Sequence, residues 1–403
     1  MAVKVFSVVG ARPNFMKIAP FVRAIEAHNR SVGCGDGDRL SATDAVPAPR
    51  SRVDHVLVHT GQHYDARMST AFFEGLGIPR PDIDLGIGSG TDAEQVGKTM
   101  MAFEKVLDES RPDWVVVVGD VNATCACSLT AKKAGVNLAH IEAGLRSFDL
   151  SMPEEINRMV TDRLADLFFT TDEIASENLR AEGVPRERIH LTGNIMIDTL
   201  DAHRERAAGL NTRDVVRTNL LPASAEDAGV DLADGRYAVV TVHRPSNVDE
   251  PGVLSSLAAF FVEEVAPDFP LVWPVHPRAE KQLRAYGLWE KLANAPRVLL
   301  LHPVGYEEML RLNMGAALML TDSGGLQEEC CVLGTPCMTL RWNTERPVTL
   351  RDHGGVSVLV GNDVANLRAA YAHLGNRPRT PCRPPLWDGC TADRILGVLT
   401  AAD

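Results

Sequence analysis

The sequence lacks any long run of apolar residues. No stretch of its 403 residues approaches the roughly 18 uninterrupted apolar residues that would indicate a membrane-spanning helix, so none is predicted. The segment Met1–Val5 passes directly into a strand-like pattern, whereas a secretory signal needs a longer apolar region and a small-residue cleavage site. We therefore expect a cytoplasmic protein with no membrane partner.

Basic residues are outnumbered by acidic ones. The chain has 41 Lys and Arg residues against 53 Asp and Glu residues, which gives a formal net charge of −12. A chain this acidic lacks the general electrostatic footprint of a nucleic-acid-binding protein, although a local basic cleft is compatible with the composition. We expect no nucleic-acid partner.

Cysteines and metal-binding patterns are also scarce. Of the eight cysteines, Cys330 and Cys331 are adjacent, and adjacent cysteines rarely satisfy disulfide geometry. The CxxC pairs and His clusters typical of zinc sites are absent, and the Asp82–Asp84 segment imitates a metal-binding DxD inside a Pro/Gly-rich connection. We expect reduced, mostly buried thiols and no metal, with a bridge between Cys382 and Cys390 as an alternative.

Short apolar runs alternate with helical patterns along most of the chain. The β-branched run Trp114–Val118 is typical of a parallel strand that is covered on both faces. Repeated strand-then-helix order predicts an α/β protein built from βαβ units. The predicted strands are 3–9, 53–59, 114–118, 137–141, 167–170 and 189–192, followed by 237–242, 271–275, 298–301, 317–321 and 337–340.

The strand pattern restarts after a polar stretch at about 201–236, which predicts two doubly wound domains. We place the first at 1–195, with a C-terminal helix at about 385–403 packing back on it, and the second at 196–384. Residues 29–52 are rich in Gly, Ser, Asp and Pro and predict a long surface insertion. Ligands of open α/β sheets bind beyond the carboxyl ends of the strands, so we expect the chemistry there, in a central cleft.

Charged residues follow three strands of the first half. Arg12 and Lys17 bracket a helix start after the first strand, where an anion-binding turn and a solvated turn with surface cations are both compatible. Asp120 follows the third strand, where helix capping is the alternative. Glu142 follows the next strand, and Glu154 lies four residues before Arg158 on one helix face, which also suits a surface ion pair. Carboxylates gathered at one edge suit acid–base work.

The second half places histidines, a Ser-Gly-Gly turn and an arginine after its strands. Backbone N–H groups at the helix N-terminus that this turn opens form a ready phosphate cradle. A diphosphate is the natural ligand for such a set. The residues concerned are His243, His276, Ser323, Gly324, Gly325 and Arg346.

Ten motifs follow one another between about residues 3 and 375: GARPNFMK, TGQHYD, GDVNAT, HIEAGLRS, MPEEINR, TGN, VHRPSN, PVHPR, TDSGGLQEE and NTERP. In this order they resemble the non-hydrolysing UDP-N-acetylglucosamine 2-epimerases, which have two Rossmann-like domains in a GT-B-like fold. The resemblance implies interconversion of UDP-N-acetylglucosamine and UDP-N-acetylmannosamine, by UDP elimination to 2-acetamidoglucal and re-addition with inversion at C2. It also implies a homodimer, a role in bacterial surface polysaccharide synthesis and no cofactor or metal.

The resemblance assigns roles to the matching positions. It implies acid–base catalysis first at Asp120 and Glu154, with Glu142 as a third candidate that could instead bind the sugar. Cations expected to reach the nucleotide sugar or orient the carboxylates are Arg12, Lys17 and Arg158. Groups expected on the diphosphate, the ribose or elsewhere on the substrate are His243, His276, Ser323, Gly324, Gly325, Glu329 and Arg346.

The chain departs from the family pattern where many members bind a second UDP-N-acetylglucosamine as an activator. Asn14 stands where a Glu commonly follows Arg-Pro, and Pro245–Asn247 replaces Arg-Glu-Asn. Tyr64 and Asp65 replace an Arg and a Gln of allosteric members, and the Gly86–Thr91 loop has no Arg. We therefore expect weak or absent activation by substrate.

Three alternative functions remain open on the sequence. A hydrolysing epimerase would release free N-acetylmannosamine, although HIEAGLRS favours the non-hydrolysing type. A GT-B glycosyltransferase would need an acceptor site, and no apolar or basic patch for one is evident. A sugar-nucleotide-binding regulator would not need the full set of carboxylates. The exact 2-substituted sugar is also left open.

Overall fold

The computed structural model describes residues 2–10, 12–33, 51–61, 77–222, 224, 229–374 and 378–401, without the side chains of residues 12, 13 and 33. The chain divides into two compact units. Unit 1 comprises Met1–Thr199 and Pro384–Asp403, and unit 2 comprises Leu200–Arg383.

Unit 1 contains a seven-stranded sheet in which every neighbouring pair is parallel. The strand order is β3-β2-β1-β4-β5-β6-β7. The inner strands are almost wholly buried because helices cover both faces of such a sheet. The strands are β1 (Val3–Val9), β2 (Val53–His59), β3 (Ile83–Asp84), β4 (Trp114–Val118), β5 (Asn137–Ala143), β6 (Leu167–Thr170) and β7 (Ile189–Leu191).

Unit 2 contains a six-stranded parallel sheet in the order β10-β9-β8-β11-β12-β13. Both sheets reverse their winding direction beside the first strand of the unit, between β1 and β4 and between β8 and β11. This confirms the predicted α/β class with two doubly wound sheets. The strands are β8 (Ala238–Thr241), β9 (Leu271–Pro274), β10 (Val298–Leu301), β11 (Leu318–Thr321), β12 (Cys337–Thr339) and β13 (Ser357–Leu359).

Helices connect most of the strands. Those of unit 1 are α1 (Arg12–Gly33), α2 (Asp92–Glu109), α3 (Asn122–Lys133), α4 (Pro153–Leu164) and α5 (Glu173–Ala181), together with α15 (Thr391–Ala401). The helix α6 (Ile195–Gly209) carries the chain into unit 2. The helices that follow are α7 (Thr212–Asn219), α8 (Pro245–Val248), α9 (Pro251–Phe260), α10 (Pro277–Ala285), α11 (Trp289–Ala293), α12 (Tyr306–Gly315), α13 (Gly324–Leu333) and α14 (Val364–Leu374).

The structure corrects the sequence predictions for the insertion and for a disulfide. The helix α1 continues to Gly33, so residues 29–33 of the predicted insertion are helical, and residues 34–50 lie outside the described part of the chain. Cys382 and Cys390 are free thiols, so the alternative of a bridge between them is wrong. Within the described ranges, no helix combines the length and the apolar character needed to cross a membrane.

Candidate active site

Lys17 and Glu142 form a buried ion pair in unit 1. Lys17 lies on α1, directly after β1, and its Nζ donates a hydrogen bond to Oε2 of Glu142 near the end of β5. Both side chains are at most 7% exposed. The backbone of Glu142 has a φ of 69°, in the left-handed region that few residues other than glycine adopt. Backbone strain of this kind collects at functional sites, which marks the end of β5 as a candidate site.

Gly119 leaves the space that this ion pair occupies. It follows β4 with a φ of +68°, and a Cβ atom there would lie 3.1 Å from Nζ of Lys17 and 3.2 Å from Oε2 of Glu142. A side chain at position 119 would therefore push against both charged groups. Glycine is needed for the space as well as for the backbone conformation.

Asp120 pairs with an arginine. Val121 occupies the N-cap position of α3, so the interpretation of Asp120 as the N-cap residue is wrong. Arg158 donates through Nη2 to Oδ2 of Asp120 and through Nη1 to Oε2 of Glu155, the latter at 3.0 Å. The side chain of Arg158 is 2% exposed and that of Asp120 is 18% exposed. Arg158 thus holds Asp120 from the buried side and leaves it partly accessible.

The two glutamates at the start of α4 have different environments. The helix begins at Pro153, the position where proline is favoured. Glu155 is buried and accepts hydrogen bonds from the backbone and Oγ of Ser147, both at 2.9 Å, so it holds the preceding loop. Glu154 is half-buried and has no hydrogen-bonding or ion-pair partner among the described residues, so it does not form the surface ion pair with Arg158 that its spacing allowed.

The start of α1 is described in part. Asn14 is buried, and its Nδ2 donates to the carbonyl oxygen of Val118 at 2.8 Å, which joins α1 to the end of β4. Arg12 begins α1, but its side chain lies outside the described part of the chain. Tyr64 and Asp65 also lie outside the described residues.

Asp322 is the central buried carboxylate of unit 2. It follows β11 and is completely buried. Burial alone would raise the pKa of Asp322, but hydrogen bonds from His243, Arg244 and Asn247 outweigh that effect and lower it to about 2. The donors are the backbone nitrogens of His243 (2.9 Å) and Arg244 (2.8 Å), Nδ2 of Asn247 (3.0 Å) and Nδ1 of His243 (2.7 Å).

These contacts fix the ring of His243, which follows β8. Because Asp322 is ionised and can only accept, Nδ1 of His243 carries the proton, and Nε2 has no partner among the described residues. The ring centroid of His276 lies 5.4 Å away. His276 caps α10 by accepting a hydrogen bond from the backbone nitrogen of Arg278 at 3.1 Å, so its Nε2 is the protonated nitrogen in the neutral ring.

The N-terminus of α13 follows Asp322. Ser323 caps the helix by accepting from the backbone nitrogen of Leu326 at 3.5 Å. Gly325 faces open space, whereas a Cβ at Gly324 would lie 2.6 Å from Nη1 of Arg346. The first N–H groups of a helix have no intrahelical partner, and together with the helix dipole they favour an anion.

Arg346 lies between two buried carboxylates. Its Nε donates to Oε1 of Glu328 at 2.6 Å, and its Nη1 donates to Oε1 of Glu345. All three side chains are at most 7% exposed. Glu329, on the same helix as Glu328, is also buried, and its Oε2 has no hydrogen-bonding partner among the described residues. Burial and the neighbouring charge of Glu328 raise the pKa of Glu329 to about 7.

Each unit therefore offers one kind of chemistry. Unit 1 offers carboxylates beside cations, which suits proton transfer. Unit 2 offers a helix N-terminus and an oriented imidazole, which suits a phosphate group. Among the residues that the structure describes, no cluster of three or more His, Cys, Asp or Glu side chains could hold a metal ion.

Sequence reasoning assigned no role to two residues that organise these groups. Asp322 was recognisable as a carboxylate directly after a buried strand, but its hydrogen bonds to the β8 turn depend on the adjacency of β8 and β11. Gly119 was recognisable as a glycine after a strand, but the crowding around it depends on contacts with α1 and β5.

Comparisons with known proteins place the chain beside one family of enzymes. Residues 48–400 match the family model for UDP-N-acetylglucosamine 2-epimerase. The UDP-N-acetylglucosamine 2-epimerase of Methanocaldococcus jannaschii is 37% identical over 400 residues, which cover 98% of this chain and 99% of that protein. The UDP-2,3-diacetamido-2,3-dideoxy-D-glucuronate 2-epimerase of Pseudomonas aeruginosa is 37% identical over 362 residues, which cover 89% and 88%.

A solved structure is similar over almost the whole chain. It is the crystal structure of the Methanocaldococcus jannaschii enzyme in complex with UDP-GlcNAc and UDP, with a TM-score of 0.83. The sequences are 36% identical, and the match covers 99% of this chain and 100% of that one. The chain belongs to the UDP-N-acetylglucosamine 2-epimerase family.

Proposed function

We propose that this protein interconverts UDP-N-acetylglucosamine and UDP-N-acetylmannosamine without hydrolysis. The observation that carries the proposal is the pair of cation-bound carboxylates at the ends of adjacent strands: Asp120 with Arg158 after β4, and Glu142 with Lys17 on β5. The bound UDP-GlcNAc and UDP of the Methanocaldococcus jannaschii structure support the substrate class. We further propose that the product supplies surface polysaccharide synthesis.

Epimerisation at C2 needs two proton transfers on opposite faces of the sugar. In the first step a base removes the C2 proton, the C1–O bond breaks, and UDP leaves behind 2-acetamidoglucal. In the second step a proton is delivered to the other face of C2, and UDP adds back at C1. Asp120 and Glu154 are the first candidates for these roles, since both are partly accessible. Glu142, buried against Lys17, is the third and could instead bind the sugar.

Unit 2 would bind and stabilise the departing UDP. N–H groups at the start of α13 and the imidazole of His243 are suited to negative charge that develops on the diphosphate. Asp322 would orient the ring through Nδ1, so that Nε2, when it also carries a proton, can donate a hydrogen bond to the leaving phosphate. The unpartnered Oε2 of buried Glu329 is suited to a hydroxyl donor such as that of ribose.

Incubation with UDP-N-acetylglucosamine in D₂O tests the reaction. We expect deuterium at C2 and a mixture of the two epimers, both still attached to UDP, because each turnover exchanges the C2 proton. Mass spectrometry and NMR measure both. Release of free N-acetylmannosamine would instead identify a hydrolysing epimerase. If neither turnover nor deuterium incorporation is observed, the remaining alternatives are a glycosyltransferase and a binding protein.

A second candidate substrate is a UDP-2,3-diacetamido-2,3-dideoxy-D-glucuronate. The observation that favours it is the Pseudomonas aeruginosa relative, which is as similar in identity as the Methanocaldococcus jannaschii enzyme. Parallel measurements of kcat/KM for the two sugar nucleotides decide between them. A higher kcat/KM for the diacetamido sugar would contradict the first assignment.

We expect activation of the reaction by substrate to be weak or absent. Among the expected activator contacts, the Gly86–Thr91 loop carries no arginine, and Asn14 donates to the Val118 carbonyl instead of offering a carboxylate. The reverse reaction, started from UDP-N-acetylmannosamine alone, should begin without a lag. A strict requirement for added UDP-N-acetylglucosamine would contradict this expectation.

We also propose that the protein is a homodimer. Unit 1 exposes Phe148, Leu150, Ile156 and Met159, with between 44% and 77% of each residue accessible. Such a set of exposed apolar side chains is typical of a protein–protein contact.

A further inference from the structure

Unit 1 contains a buried chain of charged hydrogen bonds that the proposed reaction does not use directly. Nδ1 of His140 lies 2.6 Å from Oδ1 of Asp162, and Nη1 of Arg146 lies 2.7 Å from Oδ2 of the same carboxylate. Arg146 continues to Glu182 through two contacts of 2.7 Å. His140, Asp162 and Arg146 are each at most 3% exposed. Four titratable side chains are thus linked, and three of them are buried.

Asp162 holds the segment of β5 that carries Glu142 on both sides. Its Oδ1 contacts the ring of His140, two residues before Glu142, and its Oδ2 accepts from the backbone nitrogen of Gly144 at 3.1 Å, two residues after it. Between these points Glu142 keeps its left-handed backbone, with a φ of 69°. Such a conformation persists only where the surroundings impose it. A single buried carboxylate provides that constraint.

His140 extends the same constraint to Asp120. Its Nε2 lies 2.9 Å from the carbonyl oxygen of Gly119, which can only accept, so Nε2 carries a proton. Burial alone would raise the pKa of Asp162, but the charges and hydrogen bonds of His140 and Arg146 outweigh it and leave the pKa below its usual value. Asp162 therefore accepts through its ionised carboxylate, and both ring nitrogens of His140 lie within hydrogen-bonding distance of an acceptor. The ring cannot turn without losing a hydrogen bond.

We propose that Asp162 and His140 are positioning residues that set the placement of Asp120 and Glu142 relative to each other. The inference rests on the proposed function. His140 contacts the turn after β4 through the carbonyl oxygen of Gly119. Asp162 contacts His140 and Gly144, which lie on either side of Glu142. Neither residue touches substrate in this role. Their contribution is to keep the two carboxylates aligned with C2.

The variants Asp162→Asn and His140→Gln test the proposal. Asn at position 162 cannot accept from His140, Gly144 and Arg146 at once, whereas Gln at position 140 can still donate to one carbonyl and is the milder change. Since a misplacement of about 1 Å in a reacting group costs about 100-fold in rate, we expect kcat to fall by about that factor in Asp162→Asn and by less in His140→Gln. The KM for UDP-N-acetylglucosamine and the Kd for UDP should stay within about threefold, because unit 2 would bind the nucleotide.

Phe103→Leu provides the matched control. Phe103 is completely buried on α2 in the same unit and lies outside the charged chain, so its replacement lowers the Tm without moving the carboxylates.

All variants are assayed well below their Tm, with circular dichroism confirming the fold and deuterium incorporation at C2 reporting proton transfer. A kcat close to that of the parent in both charged-chain variants would overturn the positioning role. So would an equal loss in Phe103→Leu. A parent protein that exchanges no C2 proton would overturn the proposed function as well, which separates the two failures.

Discussion

Replacing Asp120 by asparagine is expected to lower kcat for epimerisation by about 1,000-fold, the middle of the range for a general acid or base. Asparagine has almost the same shape and its Oδ1 can still accept the hydrogen bond from Arg158. It cannot take up a proton from C2, however, so binding should be retained while chemistry is lost. The Kd for UDP, measured by calorimetry, should change by less than about threefold, since the proposed diphosphate cradle lies in unit 2.

Glu173→Gln is the matched control for this experiment. Glu173 is an exposed carboxylate of the same unit that pairs with Arg180 at 2.6 Å, so the variant also removes one negative charge beside an arginine. It should keep the parent kcat. A loss of less than tenfold in Asp120→Asn would remove Asp120 from the acid–base roles. Glu154→Gln, assayed beside it, examines the second candidate in the same way.

Replacing Arg346 by glutamine should destabilise unit 2 strongly. The guanidinium lies between Glu328 and Glu345, and its loss removes the buried ion pair with Glu328, whereas Glu345 keeps its pair with Arg341 at 2.7 Å. Removing one partner of a buried ion pair costs about 3 kcal/mol or more. For a unit of this size that corresponds to a fall in Tm of roughly 10 °C, measurable by calorimetry without ligand.

Arg368→Gln is the surface counterpart of that change. Arg368 pairs with Glu264 at 2.7 Å, but its side chain is 62% exposed. Exposed pairs contribute about 0 to 1 kcal/mol, so the Tm should fall by no more than about 3 °C. Equal effects of the two variants would contradict a structural role for Arg346.

Much of the fold could be predicted because the inner strands are continuous apolar runs. The bounds of β1, β2, β4, β6 and β10 match the predicted ranges, and the other predicted strands lie within two residues of theirs. The edge strands β3 and β13 were missed. They contain two and three residues, and their half-buried positions carry too little apolar pattern to be recognised.

The site was predictable where a motif follows a strand and unpredictable where contacts decide the role. The positions of Asp120 and His243 after parallel strands followed from the alternating pattern. The pairing of Arg158 with Asp120 and Glu155, in place of Glu154, depends on how α4 packs beside the turn after β4. Likewise, the pairing of Arg346 with Glu328 depends on how the loop that carries Arg346 packs against α13.

Unit 1 is built from two segments that are far apart in the chain, and this affects the order in which the protein can fold during translation. Trp387 is buried and donates to the carbonyl oxygen of Thr171 at 2.9 Å, and Asp198 accepts from the first residues of α15, with 2.8 Å to the backbone nitrogen of Ala392. The partners in these two contacts lie 216 and 194 residues apart in the chain. Domains synthesised first generally fold first, yet here the earlier-made unit must wait for all of unit 2 to leave the ribosome. Until then the surface of α1 that α15 covers is bare, so nascent chains would be vulnerable to aggregation at this surface.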